Sequence, residues 1–274
     1  MNRRLVRITK VFQMREGTGP QVLECPQCHG STWKREKVPS RRDPARLREV
    51  AVRCDCFYES RTARLLKAAR IPERYGAKKL EDFEIDFMGG SLEQARFMAG
   101  KMVQEYPAQR AGLLFVGRVG SGKTHLATAV LRELILNRGV TGLFCSYAEM
   151  LTEIRDTYND SGATKYFRDE DGNRWETESQ ILNHVINVDV LLLDELGKVK
   201  ASEWVLDKVR EIIGGRYDKK RTTLITTNFP LDAKEPKEIP LQDKIGADMV
   251  SRLREMCHIV EMEGPDYRHI VKRQ

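Results

Sequence analysis

The chain has 274 residues, a length that fits two domains or one medium-sized domain with an appendage. Hydrophobic residues make up 41% of it and charged residues 32%, and no run approaches the ~18 apolar residues of a membrane span. The basic first residues lack the continuous apolar stretch of a signal peptide, so we expect a cytoplasmic protein with no membrane partner.

Positive charge is concentrated at one end of the chain. The net charge is +7, and the excess of lysine and arginine lies within residues 1–80, whereas residues 81–274 are net negative. This asymmetry predicts an anionic partner for the N-terminal part alone. A basic surface that serves solubility is the alternative interpretation.

Four of the six cysteines are clustered near the N-terminus. Their spacing, C-x-x-C followed by C-x-C, offers four thiolates, and a tetrahedral set of thiolates favours zinc. An iron–sulfur cluster also accepts four cysteines, His29 could replace one ligand, and unrelated reduced cysteines are a further alternative. Because residues 1–70 have few large apolar side chains, a metal would supply folding energy that a core cannot. The predicted zinc ligands are Cys25, Cys28, Cys54 and Cys56, whereas Cys145 and Cys257 fall in predicted strands and are expected to be buried.

The rest of the chain alternates between helical and strand patterns. A basic helix is predicted over 59–70 and ends before Pro72, and residues 71–90 form a linker with few periodic signals. From residue 91 onward, helices are predicted at 91–105, 122–138, 148–158, 202–217 and 243–255, and strands at 112–116, 141–147, 188–193, 222–227 and 257–262. Residues 159–178 are predicted to be a loop. Short apolar strands separated by helices predict an α/β domain over 91–274, whose parallel sheet forms the middle of three layers.

A complete G-x-x-x-x-G-K-[ST] motif follows the first of these strands. The glycines let the backbone N–H groups point at phosphate oxygens, and the positive N-terminal end of the next helix faces the same phosphates. Lys123 is expected to reach the β- and γ-phosphates, and the Thr124 hydroxyl to bind Mg²⁺. The residues predicted to hold ATP are Gly117, Gly120, Ser121, Gly122, Lys123 and Thr124.

Two further strand ends carry polar residues. Asp194 and Glu195 follow an apolar strand, where buried carboxylates need a cation or hydrogen-bond donors. We expect Asp194 to hold Mg²⁺ and Glu195 to deprotonate the attacking water. Asn228 follows the next strand, where an amide could contact the γ-phosphate or the water, and a turn residue before Phe229–Pro230 is an equally good interpretation.

In its motifs, and in their order along the sequence, the chain resembles AAA+ ATPases. More narrowly, it resembles the DnaC/DnaI-type replicative helicase loaders and their relatives, the IstB-type transposition ATPases. The resemblance covers most of the chain. It rests on GRVGSGKT (117–124), VLLLDELG (190–197), ITTN (225–228), SRL (251–253) and EGPDYR (263–268), preceded by CPQCHG (25–30), RCDC (53–56) and IPERYG (71–76). It implies a P-loop AAA+ fold with a small N-terminal module like a zinc ribbon.

The resemblance also implies roles for single residues. Asn228 aligns with the sensor 1 position, Arg252 with an arginine finger that acts on a neighbouring subunit's ATP, and Arg268 with a sensor 2 arginine. A guanidinium suits the finger because it stabilises the charge that spreads during phosphoryl transfer. From the local sequence alone, an ordinary surface arginine is the simpler interpretation of Arg252.

The function that the resemblance implies is ATP-dependent loading of a replicative hexameric helicase onto single-stranded DNA during replication initiation, in a bacterium or from a phage. The cofactors would be ATP, Mg²⁺ and Zn²⁺. The cysteine module, residues 1–70, would contact the helicase, and the ATPase domains would self-associate and meet the DNA on their inner surface.

Three other functions are compatible with the sequence. An IstB-type transposition ATPase would act on duplex DNA, although we expect that class to lack the cysteine module. A DNA-binding adaptor would use ATP as an assembly switch, with slow hydrolysis that no partner changes. A small-molecule kinase fits worst, because no second substrate site is visible and the SRL motif would have no role.

Overall fold

The structure is a computed structural model, and it describes residues 25–40, 43, 45–83, 90–158, 177–233, 235–264 and 266–267. Its contacts divide the chain into two compact units, Met1–Ser60 and Arg61–Gln274. The predicted boundary at residue 70 and the linker at 71–90 stay predictions. Among the described residues, no helix is long and apolar enough to cross a membrane.

The N-terminal unit is built on a two-stranded antiparallel hairpin. Strand β1 (Trp33–Pro39) pairs with β2 (Leu47–Arg53), and helix α1 (Asp55–Ala68) begins directly afterwards. Within the part of this unit that the structure describes, only Cys28 and Cys54 are buried. A lone hairpin is marginally stable in water, so a metal bound by the cysteines would stabilise this unit.

The second unit contains a five-stranded parallel sheet with helices on both faces, which confirms the predicted α/β fold. The strands lie in the order β4-β5-β6-β3-β7, so the strand that leads into the phosphate loop is an inner one. The strands are β3 (Gly112–Gly117), β4 (Gly142–Ser146), β5 (Val190–Asp194), β6 (Thr222–Thr227) and β7 (Cys257–Met262). The helices are α2 (Glu73–Gly76), α3 (Gly90–Glu105), α4 (Lys123–Arg138), α5 (Tyr147–Asp156), α6 (Glu178–Asn187), α7 (Glu203–Asp218), α8 (Gln242–Ile245) and α9 (Ala247–Met256).

Side chains alternate between two apolar cores along each inner strand. Leu113 and Phe115 of β3 pack with helices α3 and α4, whereas Leu114 and Val116 pack on the opposite face with helices α5 to α9. Strands β3 and β5 are apolar along most of their length because both faces of the sheet are covered. The sheet thus holds the carboxyl ends of β3, β5 and β6 side by side at one edge.

Several elements depart from the sequence-based expectation, among them helix α2 inside the predicted linker and the division of the predicted helix 243–255 into α8 and α9. The hairpin β1–β2 was not anticipated, and helix α1 begins at Asp55 rather than at residue 59. Helix α6 was also missed, although a capping box marks its start: the Thr177 hydroxyl accepts from the Gln180 N–H, and the Gln180 side chain accepts from the Thr177 N–H. Most of the predicted loop, residues 159–176, lies outside the described residues.

A fully buried arginine links helices α6 and α7 to strand β6. The Arg216 guanidinium donates to Thr223 Oγ1 at 2.9 Å and to the carbonyl of Thr222 at 2.6 Å. It also donates to three carbonyls at the end of α6, those of Val185, Ile186 and Val188. Burial lowers the pKa of Arg216 from its ordinary value, and these acceptors compensate for the lost water. The cation therefore caps the negative end of α6 from inside the protein.

Arg216→Leu should lower the free energy of unfolding by about 3 kcal/mol or more, because it leaves several buried carbonyls without a donor. Urea denaturation followed by circular dichroism would measure the loss. Arg221→Leu is the matched control: it removes a partly exposed arginine that pairs with Asp189 at 2.7 Å, and should cost roughly 1 kcal/mol or less. Equal losses in the two variants would contradict the role of Arg216.

Candidate nucleotide site and cysteine cluster

The phosphate loop connects β3 to α4 in a backbone conformation that needs glycine at two positions. Gly120 and Gly122 have φ angles of 83° and 90°, in the left-handed region. Space is also restricted: a Cβ on Gly120 would lie 2.0 Å from Asp266 Oδ1, and one on Gly122 would lie 2.5 Å from Phe83 Cε2. Residues far away in the sequence therefore pack against the loop and restrict its conformation.

The side chain of the buried lysine of the motif extends beneath this loop. Lys123 Nζ donates to the carbonyls of Gly117 at 2.9 Å and Arg118 at 2.6 Å. The ammonium group thus lies directly beneath the loop's curl, with α4 beginning at the same residue. A phosphate in the loop would meet both this cation and the positive end of the helix.

Asp194 lies at the end of β5 between two threonine hydroxyls. Its Oδ1 accepts from Thr124 Oγ1 at 2.8 Å and from Thr226 Oγ1 at 2.6 Å. Burial raises the pKa of Asp194, and a bound cation would lower it again. A carboxylate beside a hydroxyl is the hard oxygen set that Mg²⁺ prefers, so these residues fit that ion.

Glu195 has an unusual backbone conformation for a non-glycine residue, with φ at 59°. Its N–H donates to Thr226 Oγ1 at 2.9 Å, which ties the turn after β5 to the neighbouring strand β6. Its side chain is partly exposed and accepts from Lys198 Nζ at 2.6 Å. Left-handed non-glycine residues cost energy and persist where the surroundings fix them, often at functional sites.

Most of these residues border one cavity of about 490 Å³, a size that suits a nucleotide, whereas Gly117 and Asp194 are not among its lining residues. The predicted residues Gly120, Ser121, Gly122, Lys123, Thr124, Glu195 and Asn228 all line it. A second wall was not predicted and comes from the segment taken as a linker, with residues Arg74, Tyr75, Lys78, Asp82 and Phe83. The IPERYG motif at 71–76 was the available signal for this wall.

Aromatic residues border the cavity next to the phosphate loop. Phe83 packs against Gly122 and meets the ring of His125 edge-on, with 5.6 Å between centroids. Burial lowers the pKa of His125, which keeps its imidazole neutral near pH 7. Tyr267 reaches the cavity from the C-terminal segment, and its N–H donates to the carbonyl of Gly120 at 3.2 Å. Aromatic rings beside a phosphate loop can accommodate a nucleotide base.

Of the two predicted arginines, the structure describes only Arg252. Arg252 lies on α9, over the ring of Tyr217 at 5.5 Å, and is not among the described residues that line the cavity. The fold does not bring it to the phosphate loop of its own chain. Arg268 lies outside the described residues.

The four N-terminal cysteines come together in the first unit. Their sulfur atoms all lie within 4.8 Å of one another, with Cys25 and Cys54 at 3.7 Å and Cys28 and Cys56 at 3.4 Å. Tetrahedral zinc with sulfur ligands requires separations of roughly 3.8 Å. The backbone N–H of Gln27 contributes most to lowering the pKa of Cys25 to about 7, which favours the thiolate. The residues present therefore fit a zinc ion, and His29 is not part of this group.

We expect one zinc ion per chain in purified protein, measurable by elemental analysis. Cys25→Ser combined with Cys28→Ser should lose it, because two of four ligands are gone. Cys145→Ala, at a buried cysteine in β4, should keep it. A brown protein with visible absorbance would indicate an iron–sulfur cluster instead, and a folded N-terminal unit free of metal would contradict the site.

Comparison with known proteins agrees with this fold and site. The replicative helicase loader DnaC of Escherichia coli (strain K12) is 31% identical over 180 residues, which are 63% of this chain and 66%, just under two thirds, of that protein. The crystal structure of the DnaC helicase loader has a TM-score of 0.57 at 28% identity and covers 70% of this chain and 100% of that one. The crystal structure of DnaI has a TM-score of 0.53 at 23% identity, covers 74% of this chain and 98% of that one, and shows a likeness of fold alone.

These neighbours confirm the expected AAA+ fold and the resemblance to the DnaC/DnaI-type loaders. The family model described as IstB-like ATP binding protein matches residues 48–274. The match includes Cys54 and Cys56 and leaves Cys25 and Cys28 outside it. Because it spans well over half of the residues, the chain belongs to the family of IstB-like ATP binding proteins.

Proposed function

We propose that this protein is an ATP-dependent loader that places a replicative hexameric helicase on single-stranded DNA during replication initiation. The observation that carries the proposal is the likeness, in sequence and fold, to a protein named as a replicative helicase loader. The hydrogen-bonded group of Thr124, Asp194 and Thr226 beneath the phosphate loop supports its ATP dependence.

In the proposed reaction, Lys123 and the loop N–H groups bind the β- and γ-phosphates. Thr124 and Asp194 hold Mg²⁺, which when bound supplies positive charge against the phosphate oxygens. Glu195 takes a proton from the attacking water, and Asn228 orients that water or the γ-phosphate. Arg252 completes the site of a neighbouring copy, which makes hydrolysis depend on assembly.

The two domains predicted from the sequence divide the proposed work. The cysteine module, residues 1–70, contacts the helicase, and the ATPase domain, 91–274, self-associates and meets the DNA. A tagged full-length chain should capture the replicative helicase of its host from purified components in the presence of ATP. Capture that fails with candidate helicases, together with capture of a transposase on duplex DNA, would favour the IstB-type alternative, which the family match keeps open.

Lys123→Ala should abolish tight ATP binding, because it removes the buried cation beneath the phosphates. Titration with a fluorescent ATP analogue would measure the affinity. Arg118→Ala, which removes an exposed cation from the same loop, should change it only slightly. Equal affinity in Lys123→Ala and the unmodified protein would contradict the nucleotide site itself, whatever the partner.

A further inference from the structure

A row of stacked planar groups lies on the surface of the N-terminal unit. The Arg53 guanidinium lies 4.0 Å from the ring centroid of Trp33 and 4.4 Å from that of Phe57. Phe57 in turn meets Tyr58 edge-on, with 5.5 Å between ring centroids. We call Trp33, Arg53, Phe57 and Tyr58 the cation–aromatic row.

Both ends of this row are open to solvent. Trp33 is 47% exposed and Tyr58 is 54% exposed. No apolar core of this unit covers them, since Cys28 and Cys54 are its only buried residues in the part that the structure describes. Large rings on a surface cost hydration free energy, and exposed aromatic residues beside cations often mark binding sites.

The row is fixed in place before any partner arrives. Arg53 lies directly opposite Trp33 in the hairpin register, and its guanidinium donates to Thr32 Oγ1 at 2.9 Å. Stacking between two rings restricts the guanidinium further. A planar ligand would therefore bind with little loss of side-chain entropy at this surface.

Cations accompany the row along the hairpin. Side chains alternate along a strand, so Arg35 and Lys37 share the face of Trp33. Arg35 pairs with Glu49 at 3.6 Å, but both side chains are largely exposed, so the pair is weak and exchangeable. Over residues 25–60 the sequence has eight lysines and arginines against five acidic residues, which favours an anionic ligand.

We propose that the cation–aromatic row is a binding platform for single-stranded nucleic acid, with bases stacking on Trp33 and Tyr58 and phosphates meeting Arg35 and Lys37. Every base has a flat face that stacks on aromatic side chains, and cations nearby follow the backbone. A protein contact at the row itself fits less well, because strong protein contacts centre on desolvated apolar pockets, and in the described part of this unit only Cys28 and Cys54 are buried. The helicase contact proposed for residues 1–70 would use other parts of that module. This site is additional to the DNA contact proposed for the ATPase domain.

The test measures binding of fluorescein-labelled oligo(dT) to the zinc-loaded full-length chain without ATP, by anisotropy. Trp33→Ala and Tyr58→Ala should each weaken binding roughly fivefold or more, the loss of one stacked base. Trp33→Phe should keep most of the affinity. Phe97→Ala, which removes an exposed ring from α3 in the other unit, is the matched control and should bind as the unmodified chain does. Arg35→Ala with Lys37→Ala should make binding less dependent on salt concentration.

A second measurement locates the contact directly and is independent of any DNA bound elsewhere. Oligonucleotides with 5-iododeoxyuridine, photocrosslinked to the chain, should yield adducts on Trp33 or Tyr58 by mass spectrometry. Unchanged affinity in both alanine variants together with no adduct on either ring would overturn the proposal. So would variants that keep oligonucleotide affinity but lose capture of the helicase, since the row would then contact protein. Because neither readout needs ATP hydrolysis or a helicase, failure of the loader function would not be mistaken for failure of this site.

Discussion

Glu195→Gln should bind ATP as tightly as the unmodified protein and hydrolyse it at least a hundredfold more slowly, since a general base contributes on the order of 10²–10⁴ to the rate. The substitution preserves the shape of the side chain, and its N–H can still donate to Thr226 Oγ1. The amide, however, cannot take a proton from water. Steady-state turnover and ATP affinity, measured on the same sample, would separate the two effects.

Glu203→Gln is the matched control for this variant. It makes the same chemical change at an exposed position in the first turn of α7, away from the cavity residues, and should leave turnover unaltered. If Glu195→Gln retains turnover within a few-fold, water is activated by some other group. The left-handed turn at Glu195 would then be a structural feature of the strand end.

If Arg252 is an arginine finger, Arg252→Ala should leave the ATP affinity of an isolated chain intact and lower hydrolysis in the assembled state by roughly 10³-fold or more. The reason is its location: Arg252 lies on α9, over the ring of Tyr217 of α7, and is not among the described residues that line its own chain's cavity. The proposed finger would therefore act on ATP held by a neighbouring copy. ATPase rates measured across a range of protein concentrations would expose this dependence on assembly.

Mixing two inactive variants is the sharpest form of this test. Lys123→Ala chains keep the arginine and cannot bind ATP, whereas Arg252→Ala chains bind ATP and lack the arginine. Together they should recover part of the activity, because the arginine of a Lys123→Ala chain can complete the ATP site of a neighbouring Arg252→Ala chain. Arg254→Ala is the control. Arg254 lies two positions after Arg252 on the same helix, and its guanidinium pairs with Asp232 at 2.7 Å. No recovery on mixing, with no rate change in Arg252→Ala alone, would make Arg252 an ordinary surface residue.

The elements that could be predicted from sequence are those whose signal is local. Strand β5 is a continuous apolar run ending in two acids, and the phosphate loop is a contiguous motif between a strand and a helix, so both were assigned correctly. Hairpin β1–β2 has no such signal. Its strand WKREKVP is exposed or only half-buried throughout, so no alternation of apolar and polar residues marks it.

The features that could not be predicted from sequence depend on long-range contacts. Arg216 lies in an amphipathic helix, where a cation ordinarily indicates a solvent-facing position, and only the packing of α6 and β6 around it makes it a buried cap. The second wall of the nucleotide cavity likewise depends on Phe83 meeting Gly122 and His125, which no local pattern records. Site residues that belong to a contiguous motif could be predicted from the sequence. Those that only the tertiary structure brings together could not.

The order of the strands also sets when the nucleotide site can first exist during synthesis. Strand β3, which leads into the phosphate loop, pairs on one side with β6 and on the other with β7, from Gly112↔Cys257 to Gly117↔Met262. Both neighbours leave the ribosome long after β3 itself. The nascent chain therefore carries an unpaired, fully apolar strand while most of the domain is translated, and such strands are prone to aggregation and are natural substrates for chaperones. Nucleotide can therefore stabilise this sheet only after β6 and β7 have been synthesised and have paired with β3.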